Sequence, residues 1–411
     1  MYPEWTGGTY TYLYELGRRL AERGHEIVVV ASRDDGPAKP PHDFAGMRIH
    51  EYTVNKIHPL VSMSQHLRTA RRLFEELAAE RPVDILSVQD LPIGVSVTRS
   101  HAGRSVCQIP TFHAPTFLEF RFDTEWKVKS ERSPLRRAAI RSTEPIYETW
   151  QRRFETAPLE AAESIVVLSE YSRSHIERYF PTVDLAKVQI IPGGVDTERF
   201  RPPDDRNAVR AALGIPNDAV HLLTVRKLVP RMGLENLVRA MKTVVENEAG
   251  RGLPIRLSIC GSGRLGPTLS ELARESGLES VVSLEGRVTD DDLVRYYQAT
   301  DLFVLPTVAM EGFGIVTVEA LSTNTPVVGT PAGATPEILS AVDARLLTRD
   351  TSTEAIADAI VSWLTWRAED RGTTRYRDEV LAKYSWERVT DLVEASYAET
   401  LDRFRASRDR R

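Results

Sequence analysis

The stretch 301–330, DLFVLPTVAMEGFGIVTVEALSTNTPVVGT, holds an apolar run (DLFVLP), a glycine-bearing turn (Gly312 and Gly314), an apolar helical pattern and a second apolar run (TPVVGT). That is a strand, a turn, a helix and another strand, the unit from which parallel sheets with crossover helices are built. Upstream of it lie AVHLLTV (219–225), IRLSICG (255–261) and SVVSLEG (280–286). Further upstream the same alternation runs through HEIVVVAS (25–32), VDILSVQ (83–89), SVCQIP (105–110), SIVVLS (164–169) and VQIIPGG (188–194). The expected fold class is α/β, two Rossmann-like doubly wound parallel-sheet domains, because the second half repeats the architecture of the first.

A chain of 411 residues exceeds one ordinary core, so two domains are expected. The segment 195–216, rich in charge and carrying Pro202, Pro203 and Pro216, reads as the connection. The expected domains are 1–200 and 201–383, with 384–411 a closing helix that returns to the first. Net charge is −5 with both signs interspersed, which argues against nucleic acid as a partner. Two distant cysteines, Cys107 and Cys260, fit a reducing cytoplasm better than a disulfide scaffold. No stretch approaches the roughly 20 apolar residues of a membrane span, and the N-terminus lacks the pattern of a signal peptide.

In QHLRTARRLFEELAAE (65–80), Leu67, Ala70, Leu73, Phe74 and Leu77 recur at helical spacing, a stripe that reads as core packing. The chain opens on a glycine pair (Gly7, Gly8) and a helical pattern, although such a turn ordinarily follows a strand that carries it to the ligand-facing sheet edge. A strand upstream of Met1 is therefore expected, the alternative being a sheet that tolerates its absence.

Glu311 and Glu319 bracket the start of the helix in 305–339. Free amides and the helix dipole at Gly312, Phe313 and Gly314 make an anion site. Glu319 lies about two turns deeper, roughly 10 Å along the axis. Carboxylates accept hydrogen bonds from vicinal hydroxyls, so both acids read as sugar-hydroxyl anchors. The bland alternative is an N-terminal charge and a solvated glutamate. In LLTVRKLVPRMGLENLVRAM (222–241), Arg226, Lys227 and Arg231 cluster where a strand ends, at the edge where parallel sheets bind ligands, and can neutralise a leaving diphosphate. His113, in QIPTFHAPTFLEF (108–120), follows an apolar strand and can donate to a substrate hydroxyl or support an acceptor. Gly7 and Gly8 permit close backbone approach or form a turn.

Together these residues resemble a family 4 glycosyltransferase with the GT-B fold. The likeness rests on GGTYTYLYELGRRLAERGHEIVVV (7–30), TFHAP (111–115), VVLSEYSR (166–173), IIPGGVDTERFRP (190–202), VRKLVPRMGLENLV (225–238), CGSGRL (260–265), LEGRV (284–288), EGFGIVTVE (311–319) and YSWERV (384–389). The resemblance implies two domains facing a cleft, with the nucleotide-sugar donor on the second and a hydroxyl-bearing acceptor on the first. It gives Glu311 to the donor-sugar hydroxyls and Glu319 to the ribose. It sets the amides of Phe313 and Gly314, with Gly312 and Ile315, at the sugar and phosphate, and Gly8 at the diphosphate. It also brings Gly261, Gly263 and Val288 to the donor and His113 to the reacting sugar. Retention of anomeric configuration and a reaction needing no metal or other cofactor are likewise implied, with a UDP-linked glucose- or N-acetylglucosamine-like hexose the expected donor. The family commonly has Arg and Lys where this chain has Lys227 and Met232, which leaves open which basic residues clamp the diphosphate. It often has Gly where Asn324 stands, and Asn tolerates left-handed backbone.

Other readings compete. GSGRLG (261–266) matches a dinucleotide fingerprint with Glu285 near the ribose-acid distance, which would make an NAD-dependent oxidoreductase. Pro267 and the two glutamates speak against it. TDDD (289–292) could be a metal site, but its place before a helix favours Thr289 or Asp290 as a cap. The basic, Trp-bearing stretch 121–154 reads as a solvated helical face, the alternative being weak peripheral contact with anionic lipid. A non-catalytic sugar-nucleotide-binding protein on the same fold is the remaining class.

Overall fold

The structure, a computed structural model, describes residues 7–33, 37–54, 59–131, 133–247, 252–370 and 373–410. The chain forms two compact units, Met1–Pro192 with Glu387–Arg411, and Gly193–Trp386.

The first unit runs α1 (Gly8–Glu22), β1 (Ile27–Ser32), β2 (His42–Phe44), β3 (Met47–Tyr52), α2 (Pro59–Glu80), β4 (Ile85–Leu86), α3 (Leu91–Thr98), α4 (His101–Arg104), β5 (Cys107–Gln108), β6 (Thr111–Phe112), α5 (Thr116–Ser130), α6 (Pro134–Ala161), β7 (Ile165–Val167), α7 (Glu170–Tyr179) and β8 (Val188–Ile190). β1 pairs in parallel with β3, which carries β2 antiparallel on its other edge. β4 pairs with β5, and β6 with β7 and then β8, all in parallel. The amides of Ile109 and Thr111 continue the first of these ladders to Leu86 and Val88. β2, β3 and β6 went unread in the sequence: HDF and MRIHEY are polar on alternate positions, without the apolar run that marks a two-sided parallel strand. Ala70 and Phe74 of α2 pack in the core with Tyr52, Val97 and Val106.

The second unit runs α8 (Arg206–Ala212), β9 (Val220–Val225), α9 (Leu234–Glu246), β10 (Ile255–Cys260), α10 (Gly266–Glu275), β11 (Val282–Gly286), α11 (Asp290–Ala299), β12 (Leu302–Leu305), α12 (Ile315–Ser322), β13 (Val327–Gly329), α13 (Thr335–Val342), α14 (Thr353–Trp366) and α15 (Arg375–Lys383). Its five strands lie in the order β11-β10-β9-β12-β13, all parallel. This is the doubly wound order, with the winding reversing between β9 and β12. Ligands of such sheets bind outside the carboxyl ends of the strands at that reversal. β9 and β12 are apolar and buried through nearly their whole length, as strands covered on both faces must be.

The closing helix, α16 (Trp386–Arg408), groups with the first unit, where Arg405 meets Asp84 at 2.6 Å and Arg23 meets Glu394 at 2.7 Å. The segment 193–200 groups with the second unit. A Cβ on Gly193 would meet the Phe313 ring at 2.7 Å and one on Gly194 the Trp386 ring at 2.6 Å, while the Val195 amide donates to Tyr384 O.

The charged connection is ordered by ion pairs. Arg210, 2% exposed, reaches Asp301 and the carbonyls of Ala299, Pro216 and Ala219, and Arg206 joins it on Asp301. Charge density looked like solvated linker in the sequence because the buried partner lies far along the chain.

Candidate active site

The loop after β9 and the loop after β12 meet at the reversal of strand order. Arg226 opens the first, and Glu311 lies in the second. The Arg226 guanidinium donates to Glu311 and, at 2.5 Å, to Thr307 Oγ1, which donates in turn to Glu311 Oε2 at 3.1 Å. Arg226 and Glu311 are 8% and 9% exposed, so each charge is matched where water is scarce. The turn at 331–334 closes over Glu311: the Ala334 amide donates to Glu311 O at 2.8 Å, and a Cβ on Gly333 (φ +63°) would meet that carbonyl oxygen at 2.2 Å.

Met310, just before Glu311, sits at φ +62°, a strained conformation for a residue with a side chain. Arg231 holds it there, donating to Met310 O at 3.2 Å while its own carbonyl accepts from Val308 N at 2.9 Å. Arg226 and Arg231 are therefore both engaged by the protein. Lys227 is exposed, and its ammonium has no partner among the described residues. Met232 is buried, so the position commonly Lys in the family serves packing here.

Gly314 caps α12 at φ +89° and offers no side chain of its own to the first amides of the helix. Such a helix start, with its dipole, favours an anion. α12 itself, IVTVEALS, is rich in β-branched residues of modest helix propensity. Burial holds it: Val318, Ala320 and Leu321 are fully enclosed. Phe313 packs its ring on Gly193 and edge-on to Tyr384 at 5.6 Å. Glu319, 8% exposed, accepts from Tyr297 Oη at 2.8 Å. Burial and the Glu319 carboxylate hold the Tyr297 phenol well above its ordinary pKa, so it stays a donor.

Gly261 (φ +137°) and Gly263 (φ +159°) abut the β9 loop. Added Cβ atoms would meet Arg226 O at 1.9 Å and Leu228 O at 2.4 Å. Glycine is required there by that contact, a reason separate from the expected approach to the donor. Val288 is half-buried in the turn before α11, and Ile315 opens α12. Thr289 caps α11, accepting from Asp292 N at 3.1 Å and donating to Asp292 Oδ2 at 2.8 Å, and Arg295 also binds Asp292. Asn324 adopts φ +62° and donates to Thr373 O at 2.6 Å.

In the first unit Gly8 opens α1 after Gly7 at φ +105°, again with no side-chain cap. His113 follows β6, half-buried, with Nε2 2.9 Å from Gln89 Oε1. The basic stretch 121–154 folds into α5 and α6, tied by Arg121 and Glu148. Among the described residues no helix is long and apolar enough to cross a membrane.

Thr307, Gly333, Tyr297 and Gln89 were not singled out from the sequence. Each lies far along the chain from the residue it serves or carries no spacing signal of its own.

Comparison with known proteins places this geometry. Residues 6–199 match the model of Glycosyltransferase Family 4 and residues 205–377 that of Glycosyl transferases group 1. A relative from Kineococcus radiotolerans named D-inositol 3-phosphate glycosyltransferase is 30% identical over 80% of this chain and 73% of its own length. Across the first relatives of that name, the chain spans 58% to 74% of their length. Among solved structures, the sucrose-phosphate synthase of Thermosynechococcus elongatus aligns with a TM-score of 0.75 at 20% identity, over 96% of this chain and 94% of that one. The Anabaena protein HepE in complex with UDP-glucose aligns at 0.69 and 16% identity, over 97% of each chain. The protein is a glycosyltransferase, an enzyme of the GT-B fold. It belongs to glycosyltransferase family 4. The oxidoreductase and non-catalytic readings of the sequence are set aside by that membership.

Proposed function

We propose that the enzyme transfers a glucose- or N-acetylglucosamine-like hexose from a UDP-linked donor to a hydroxyl of a small-molecule or glycan acceptor, with retention and without a metal ion. The observation that carries this reading is the pair of buried carboxylates bracketing an uncapped helix N-terminus, Glu311 held by Arg226 and Glu319 by Tyr297. Glu311 is the anchor for sugar hydroxyls, Glu319 for the ribose, and the amides at 313–315 together with Lys227 take the diphosphate. The donor-bound HepE structure and the sugar-cyclitol activity named for the relatives support the substrate classes.

In the reaction the bond from the anomeric carbon to the diphosphate oxygen breaks and its electron pair stays on phosphate. The charge is stabilised by amides and cation in a water-poor site. The acceptor oxygen bonds the same face of the sugar, and its proton passes to the departing phosphate oxygen. His113 is assigned a hydrogen bond to a substrate hydroxyl. The test is nucleotide release from UDP-, GDP-, ADP- and TDP-linked sugars with inositol 3-phosphate and simpler polyols, with and without EDTA, and the anomeric coupling of the product by NMR. Turnover of UDP-sugar insensitive to EDTA with a retained anomer is expected; an inverted product, a metal requirement, or a different preferred base would overturn the corresponding part.

A further inference from the structure

The amide of Gln89 is held from behind. Its Nε2 lies 2.9 Å from Ser87 Oγ and 3.1 Å from Thr111 Oγ1, so both of its N–H bonds end on hydroxyl oxygens. Reversing the amide would set one oxygen against both hydroxyls and aim the NH₂ group at a single ring nitrogen, leaving an N–H without acceptor. The Ser87 hydroxyl also has an outlet for its own proton, since its Oγ lies 3.0 Å from Tyr397 Oη of α16. The amide oxygen is what remains to face His113 Nε2 at 2.9 Å.

We infer that Gln89 is a positioning residue that fixes His113 as the Nε2–H tautomer, so that Nδ1 presents a lone pair and His113 accepts a hydrogen bond from a substrate hydroxyl. An amide oxygen accepts and never donates, so it selects the ring nitrogen that carries the proton. Of the two roles open to His113 in the sequence, donating to a hydroxyl or supporting an acceptor, this leaves the second at Nδ1. Tyr12 stacks edge-on against the ring, with centroids 5.4 Å apart at 79°, and fixes its plane. Burial alone pushes the imidazole down to about 4, so it is neutral near pH 7. Tyr12 of α1, Asp90 capping α3 and Glu155 of α6 do not contribute to that shift, for which burial alone accounts. The inference depends on the reading of His113 under Proposed function only for its bearing on the reaction.

The experiment is ¹⁵N NMR of the full chain labelled at histidine, the His113 ring signals being identified by their loss in His113→Gln. Wild type is expected to show Nε2–H at pH 7. Gln89→Glu puts a carboxylate where the amide oxygen stands and should raise the His113 pKa by more than one unit, with the acid limb of kcat/KM moving up alongside. Gln89→Leu should mix the tautomers and lower kcat/KM without moving that limb. An Nδ1–H signal in wild type, which needs no variant to fold, or an unchanged His113 titration in Gln89→Glu overturns the inference. Full activity in His113→Ala would instead overturn the role given to His113 under Proposed function and leave the tautomer result standing.

Discussion

Arg226 leaves the end of β9 and Glu311 follows β12, and their side chains meet where the strand order of the second unit reverses. Both are nearly enclosed, so removing one partner strands the other charge. Arg226→Ala should destabilise the protein by about 3 kcal/mol or more and abolish most activity. The double variant Arg226→Ala/Glu311→Gln should recover part of that stability, since no charge is then left uncompensated. Denaturant unfolding of the four proteins measures the coupling. Strict additivity of the two single effects would show that the pair is not coupled.

Lys227 and Arg231 should separate cleanly. Lys227 is exposed, so Lys227→Ala should lower kcat/KM by roughly 10- to 100-fold, as loss of a charge-assisted contact does, with an unchanged melting temperature. Arg231 secures the strained Met310, so Arg231→Ala should lower activity and melting temperature together. Steady-state kinetics beside thermal unfolding distinguish them. Equal kinetic losses with equal melting shifts would remove Lys227 from the diphosphate site.

Tyr297 orients Glu319. Tyr297→Phe removes one hydrogen bond to a carboxylate that is 8% exposed, worth about 1.5–3 kcal/mol, so UDP should bind roughly tenfold or more weakly. 2′-Deoxy-UDP, lacking a ribose hydroxyl, should lose less. Calorimetric titration of both ligands reads the difference. The same loss for both would detach Tyr297 and Glu319 from the ribose.

His221, wholly buried in β9, donates through its backbone to Asp301 and meets Ser258 Oγ at 3.1 Å. Burial pushes its imidazole down to about 4 from an ordinary 6.5. The unfolded chain therefore takes up the proton first, and stability falls as pH drops from about 6.5 toward 4. His175, lowered to about 4 by burial, adds in the same direction. In His221→Gln the slope of unfolding free energy over that window should flatten by about 1.4 kcal/mol per pH unit. An unchanged slope would mean His221 is already protonated in the fold.

Glu155 has the opposite sign. It accepts from the Thr116 amide at 2.8 Å, yet burial pushes its carboxyl up to about 7. The folded state then holds a proton that the unfolded state has lost, so the cost of ionising it is present in full above pH 7 and vanishes below about 4.5. Glu155→Gln should be more stable than wild type at pH 8 and should lose that advantage by pH 4. Thermal unfolding at the two pH values is the check, and a variant less stable at pH 8 would count against it.

Much of the scaffold was legible because its strands carry their own signal. β12 is apolar throughout and β9 and β10 are mostly so, and a largely apolar run needs no partner to be recognised. Thr289 was readable as a cap, and Asn324 as a residue tolerant of positive φ, because both properties are local. β3 and β6 escaped notice for the converse reason. One is half polar, and the other is two residues long with its pairing set by β7.

By itself the sequence determined the α/β alternation, the spacing of Glu311 and Glu319, and the glycine that opens α12, because each depends on residues adjacent in the chain. Only the tertiary structure decided the state of those groups. It spent Arg226 and Arg231, which the sequence left as interchangeable phosphate cations with Lys227, on Glu311 and on Met310 O. It set Tyr297 on Glu319, and Gln89 on His113. The physical reason is that a buried charge or polar group takes whatever partner the fold brings within hydrogen-bond reach. Here that partner comes from another element of the same unit, 22 to 85 residues away.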